Sequence, residues 1–254
     1  MIRESIHFWF NGRKSTDFNI QNVSIGGGAY EESMSSGKTI IEDYPNQAQM
    51  PYFHGVQKEP KQFEVSFYFE KTWNKNLIDE IIRWLNVDEY KKLYFEADID
   101  RVFYAMPISD LSLIHNGLED GYVNITFRCD SPYSFSHELF TPILEMKKIP
   151  EHVVEITNLG YYNIRPRVWI KKISKGDILI NNLTHKNLRT KFKNIDIEEE
   201  LIIDGKTEII TTSKENTYRY DDFNDIYVEL VYGKNRLKIS DNVKVQFYYE
   251  YIFS

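Results

Sequence analysis

The sequence predicts a mainly β protein of two domains, and three observations carry that reading. Rings are abundant: 18 Tyr, 16 Phe and 4 Trp make up 15% of 254 residues, and large aromatic side chains favour strands and interfaces. Short segments with apolar residues at every second position recur along the chain, bounded by Gly, Asn, Asp and Pro, as half-buried strands require. The charge balance also shifts: residues 1–140 hold 13 Lys and Arg against 21 Asp and Glu, net −8, and residues 141–254 hold 18 against 17, net +1. A chain of this length suits two domains of about 100–150 residues each, here 1–140 and 141–254.

The elements follow in order. Ile6–Phe10 alternates into Asn11-Gly12, a favoured hairpin dipeptide. Phe18–Ile25 alternates over a full strand length and ends at Gly26-Gly27-Gly28. Residues 29–60 are polar and punctuated by Pro45, Pro51, Gly55 and Pro60, too long for a plain loop. They are expected to form an extended arm whose Tyr44, Met50, Tyr52 and Phe53 pack on another subunit. Phe63, Val65, Phe67 and Phe69 resume strict alternation. A helix is expected over residues 77–86, capped by Asn76, with Asp79 and Glu80 in the first turn, where the dipole favours acids. Leu77, Ile81, Trp84 and Leu85 form its apolar stripe and the predicted helix core. Strands follow at Leu93–Glu96 and Val102–Ala105, with Asp98-Ile99-Asp100 as their turn, then at Leu111–Ile114 and Tyr122–Cys129 around Asn116-Gly117. Thr141–Pro150 reads as a connector. Beyond it come Val153–Ile156, Arg167–Ile170, Ile178–Ile180, Leu201–Ile203, Glu208–Thr211, Tyr227–Leu230, Arg236–Ile239 and Val243–Ile252, with turns at Asp204-Gly205 and Tyr232–Asn235. Many short strands at this spacing mean a sandwich.

Composition excludes several classes. Hydrophobic residues at 42% and charged residues at 27% exclude wholesale disorder, and a single cysteine, Cys129, excludes a disulfide scaffold or a multi-Cys zinc module. A net charge of −7 argues against a nucleic-acid binder. No run of about 18 apolar residues marks a membrane span, and the first residues lack a signal peptide's apolar stretch. A soluble chain made in the cytoplasm, with no membrane partner, is expected.

The chemical motifs reduce to structural readings. Gly37-Lys38-Thr39 mimics the end of a phosphate loop, but Glu32 stands where that loop needs glycine. The six histidines show no ligand spacing, Cys129 sits in an apolar strand, and no nucleophile elbow is present. No catalytic, metal or cofactor site is expected. Tyr161, Tyr162, Trp169, Tyr218, Tyr220, Tyr227, Tyr248 and Tyr249 fit a sugar-stacking platform or, more commonly at sheet spacing, core and interface.

In order and spacing these features resemble the distal tail protein (Dit) family of long, non-contractile-tailed bacteriophages. The resemblance runs through Phe10-Asn11-Gly12, the arm ending in Lys58-Glu59-Pro60, Ile82-Arg83-Trp84-Leu85, Leu93–Ala105, and the Gly121–Cys129 strand closing on Asp130-Ser131-Pro132-Tyr133. It continues through Asn158-Leu159-Gly160, Arg165-Pro166, Gly176-Asp177-Ile178 and Tyr232–Leu237. It implies an N-terminal ring-forming β-sandwich with one principal helix and a belt-like arm, and a C-terminal galectin-like or carbohydrate-module-like sandwich. It further implies a homo-hexameric ring in the virion, joining the tail tube protein to tail-tip, baseplate and receptor-binding proteins. DNA would pass through that ring without specific binding. Asp98, Asp100, Asp110, Glu119 and Asp120 are the acids expected to face the channel. The alternative function is a carbohydrate-binding or adhesion module for host cell-wall glycans.

Overall fold

The computed structural model describes residues 5–23, 37–44, 50–70, 74–108, 112–115 and 121–254. The chain divides into two compact units, the first ending at Phe135 and the second running from Ser136 to Phe253.

The first unit contains β1 (Phe8–Phe10), β2 (Arg13–Lys14), β3 (Ile20–Val23), β4 (Lys38–Asp43), β5 (Tyr52–Lys58), β6 (Gln62–Phe69), α1 (Lys75–Leu85), β7 (Lys91–Phe95), β8 (Asp98–Pro107), β9 (Ser112–His115), β10 (Gly121–Cys129) and β11 (Ser134–Phe135). Apart from β4 and β5, which pair with each other, the strands form one antiparallel sheet in the order β2-β1-β7-β8-β10-β6-β3, with β9 added on β10 and β11 on β8. Alternation decides what is buried. Val65, Phe67 and Phe69 of β6 and Val123, Ile125 and Phe127 of β10 face a core shared with Phe8, Phe10, Phe95 and Cys129. The same burial pushes the Cys129 thiol up to about 12, so it remains a neutral hydrophobe at physiological pH.

Three local differences from the sequence reading have plain causes. Phe18 and Asn19 are not strand: Ser15–Phe18 is a 3-10 turn, and Asn19 at φ +51° ends it in the left-handed region before Ile20 starts β3. Asn tolerates that conformation because its short polar side chain does. The expected strand's end and the glycines after it, residues 24–28, lie outside the described residues. The helix cap is Asn74, not Asn76; its extended backbone lets its carboxamide oxygen accept the Leu77 N–H at 3.0 Å, two residues earlier than expected. The turn between β7 and β8 falls at Glu96–Ala97, so Asp98, Ile99 and Asp100 belong to β8. The Asn11-Gly12 turn is as the dipeptide requires, with both residues at positive φ, +48° and +77°.

The second unit is a two-sheet sandwich. One sheet joins β12 (Leu139–Phe140) and β13 (Leu144–Glu145) to β21 (Val243–Tyr249), then β15 (Arg167–Lys172), β18 (Glu200–Asp204) and β19 (Ile209–Thr212). The other runs β14 (Val153–Asn158), β20 (Gly233–Ile239), β16 (Ile178–Asn182) and β17 (Leu188–Phe192). Their inner faces meet in a core of Ile156, Val168, Ile170, Leu201, Leu237 and Phe247, among others. β17 escaped the sequence reading because Leu188-Arg189-Thr190-Lys191-Phe192 is largely polar. Tyr227–Leu230 forms only a single bridge, Leu230 to Ile164, and Gly233–Asn235 is ladder where a turn was expected. The Thr141–Pro150 connector carries the short β13 and a fully buried Met146.

Between β19 and β20 a long irregular segment is clamped by one ionic network. Arg219 grips Glu199 with two bonds, at 2.8 and 2.7 Å, and donates to Asp222 at 2.9 Å. Glu199 also accepts from Thr212 Oγ1 at 2.6 Å and from the Asp196 N–H at 3.0 Å. Hydrogen bonds to Glu199 and then to Asp222 outweigh burial and raise the Arg219 pKa, which keeps its charge fixed.

Candidate assembly surface

The arm region holds a two-stranded ribbon, β4 with β5, which among the described residues forms a sheet of its own. Its register pairs Ile40 with Val56 and Ile41 with Gly55, then slips by one residue so that Glu42 meets Phe53 and Asp43 meets Tyr52. Gly55 sits at this bulge with φ +142°, a conformation that L side chains rarely adopt. Alternation across the slip puts Ile40, Val56 and Phe53 on one face and Ile41 and Tyr52 on the other. Neither face is covered: Tyr44 is 71% exposed, Met50 77%, Tyr52 64% and Phe53 65%, with Ile40, Ile41 and Val56 also exposed. Polar bonds join its side chains, His54 to Asp43 at 2.9 Å and Tyr44 OH donating to Glu42 at 2.7 Å.

Such a ribbon contradicts the usual rule of burial. An isolated two-stranded hairpin is marginal in water, and contiguous exposed apolar surface marks an interaction site. The four arm residues read from sequence all lie on or beside it. Ile40, Ile41 and Val56 were missed because the segment is polar on average; the β-branched run after Gly37 was the available signal.

The helix residues lie elsewhere, inside the unit. Ile81, Trp84 and Leu85 are buried and Leu77 packs half-buried beside them. The Trp84 ring stacks on Phe18 at 4.2 Å and on Phe8 at 5.7 Å, and its indole N–H donates to the Phe10 carbonyl at 2.8 Å. Of the five channel candidates, Asp98 is half-buried and paired with Arg101 at 3.3 Å, while Asp100 is exposed. Asp110, Glu119 and Asp120 lie outside the described residues. The structure therefore brings the arm residues together, and of these acids it describes Asp98 and Asp100, both on β8.

Among the described residues, no group of three or more His, Cys, Asp or Glu side chains is placed to hold a metal ion. No helix among them is long and apolar enough to cross a membrane. The first unit is thus an antiparallel aromatic sheet with a two-stranded ribbon exposed on both faces, and the second unit is a sandwich. Residues 3–131 match the family model described as a phage tail protein N-terminal domain, and residues 147–249 that of a phage tail C-terminal domain; the chain belongs to this phage tail protein family. It is 36% identical over 251 residues, 99% of both chains, to the SPbeta prophage-derived uncharacterized protein YomH of Bacillus subtilis (strain 168). Its fold is that of Dit: it superposes on SPP1 Dit, described as a hub adsorption apparatus in phages infecting Gram-positive hosts, with TM-score 0.69, covering 96% of this chain and 98% of that one at 12% identity. A chain of the phage P2 baseplate in its activated, Ca-bound conformation matches with TM-score 0.50, covering 95% and 97% at 11% identity. The protein is thus a phage tail protein with a Dit-like fold.

Proposed function

We propose that the chain forms a closed hexameric ring at the tail tip, joining the tail tube to the tail-tip and receptor-binding proteins, after synthesis in the host cytoplasm. The carrying observation is the β4–β5 ribbon, bare on both faces yet rich in Ile, Val, Tyr, Phe and Met. The arm of one copy lies on the next, and a contact between two different surfaces repeats until the rotation closes. Burial of Ile40, Val56 and Phe53 then supplies what the ribbon lacks alone, at about 1.5–3 kcal/mol for each fully buried side chain. The sandwich serves as the outward docking surface, with Tyr218 at 86% and Tyr232 at 71% exposure as the tyrosines best placed for a protein partner.

The test is native mass spectrometry of the full chain beside a variant in which residues 37–58 are replaced by a short Gly/Ser linker. The wild type is expected as one closed oligomer and the variant as folded monomer. Intact rings from the variant would refute the arm's role; a wild type that stays monomeric at every concentration would refute the ring.

A further inference from the structure

The outer face of the sandwich's first sheet carries a cleft of about 380 Å³. Its floor is Trp169, on the central strand β15. Val168, Ile170 and Lys172 turn inward to the core, so Arg167, Trp169 and Lys171 face out. Register places Gln246 of β21 and Ile202 of β18 on either side of Trp169. One step along, Lys171 is flanked by Lys244 and Glu200, and Ile143 closes the cleft's edge.

The groups are held in place before any ligand arrives. Glu200 uses both oxygens, one accepting from the Trp169 indole N–H at 3.2 Å and the other from Lys171 Nζ at 3.3 Å. Lys171 also reaches Glu198 at 3.0 Å, and hydrogen bonds to Glu198 and then Glu200 raise its pKa, keeping it charged. The indole is thereby locked by its edge while no ring or cation covers its faces among the described residues. The other aromatics that sequence singled out differ on this point. Tyr248 lies under the Arg167 guanidinium at 4.6 Å, Tyr227 packs on Phe223 at 4.9 Å, and Tyr161 meets Phe253 at 5.6 Å.

Charge and volume select the ligand. Two ammoniums, Lys171 and Lys244, balance two carboxylates, Glu198 and Glu200, so no net field draws an ion, and an ion would have to compete with existing pairs. A purely apolar ligand would cover these polar groups without bonding them, which costs free energy. A neutral ring with an apolar C–H face and a rim of hydroxyls satisfies both demands, and the volume lies at the lower end of small-molecule sites, about 300–1,000 Å³. We propose that Trp169 and the Lys171–Glu200–Glu198–Lys244 rim form a binding site for a neutral saccharide, stacked on the indole and hydrogen-bonded by its hydroxyls. The cleft lies within one chain, so its binding does not depend on the ring.

The experiment titrates the isotope-labelled full chain with maltotriose, cellotriose and chitotriose, and follows the Trp169 indole N–H and the Lys171 and Gln246 amides by NMR. At least one neutral trisaccharide is expected to give saturable shifts confined to this face, with a dissociation constant on the order of 1 mM. Trp169→Ala is expected to abolish the amide shifts. Lys244→Ala, which disturbs no hydrogen bond of the sheet, is expected to weaken binding about tenfold with an unchanged thermal midpoint. The proposal is overturned if no neutral trisaccharide shifts the Trp169 indole, if the shifts survive Trp169→Ala, if trigalacturonate or a chitosan trimer binds more tightly than every neutral trimer, or if Lys244→Ala binds like wild type.

Discussion

Trp84 ties the helix to the sheet in two ways, by stacking on Phe18 and Phe8 and by donating to the Phe10 carbonyl. Trp84→Ala removes a large buried ring and also orphans a buried carbonyl, so a loss of about 3–5 kcal/mol is expected. Chemical denaturation of the first unit checks this, and an unchanged midpoint would show the ring to be dispensable. Lys172 poses the opposite case. Its side chain is wholly buried on β15, its Nζ has no hydrogen-bond partner, and desolvation lowers its pKa despite the charge of Asp177. The sign follows from linkage. In the unfolded chain the amine takes a proton near its ordinary value, about 10.4, whereas the folded amine resists until a lower pH. Stability is therefore lost as pH falls through that window, and the loss is complete below the folded value. Lys172→Met is expected to stabilise the sandwich by about 1–4 kcal/mol at neutral pH. The gain should vanish as pH rises towards the ordinary lysine range. A gap between variant and wild type that ignores pH would sink this reading.

At the scale of elements, the segment from Ser213 to Tyr232 has almost no ladder bonds of its own, yet it packs Phe223 and Val228 into the core. Arg219 holds it there by bridging Glu199 and Asp222. Breaking one side of a buried pair strands the other charge, so Arg219→Ala is expected to cost about 3–5 kcal/mol. Hydrogen exchange should rise first in residues 214–226, before the flanking β19 and β20 open. Uniform exchange across the sandwich would mean that the clamp is not local. The ribbon is the contrasting element, paired internally and exposed on both faces, as the proposed arm requires.

For the whole molecule, the proposed ring must let a genome pass without sticking, and DNA adhesion comes from Lys and Arg neutralising phosphates. The first domain as read from sequence carries net −8, with 13 basic against 21 acidic residues in positions 1–140. Asp98 is partly neutralised by Arg101, so exposed Asp100 is the better repelling group of the two that the structure describes. The assembled wild type is expected to retain no DNA even at low ionic strength. Asp100→Lys should introduce retention that fades near 0.15 M salt, where screening acts beyond about 8 Å. Tight, salt-sensitive retention by the wild type would defeat the channel reading.

What the sequence determined by itself was set by local chemistry. Alternation in β6 and β10, Asn11-Gly12, and the helix stripe at Ile81, Trp84 and Leu85 are legible because side-chain period and turn stereochemistry act over a few residues. Membership of a phage tail protein family was legible too, from motif order along the chain. What only the tertiary structure decided depends on residues far apart in sequence. Polar β17 becomes strand because β16 offers it a ladder, and Asp98–Asp100 join β8 because β7 sets the register. Cross-strand neighbours also decided which aromatics are free. Tyr248 is covered by Arg167 from β15, while Trp169 is held edge-on by Glu200 from β18, and pairing across strands is invisible to a one-dimensional pattern.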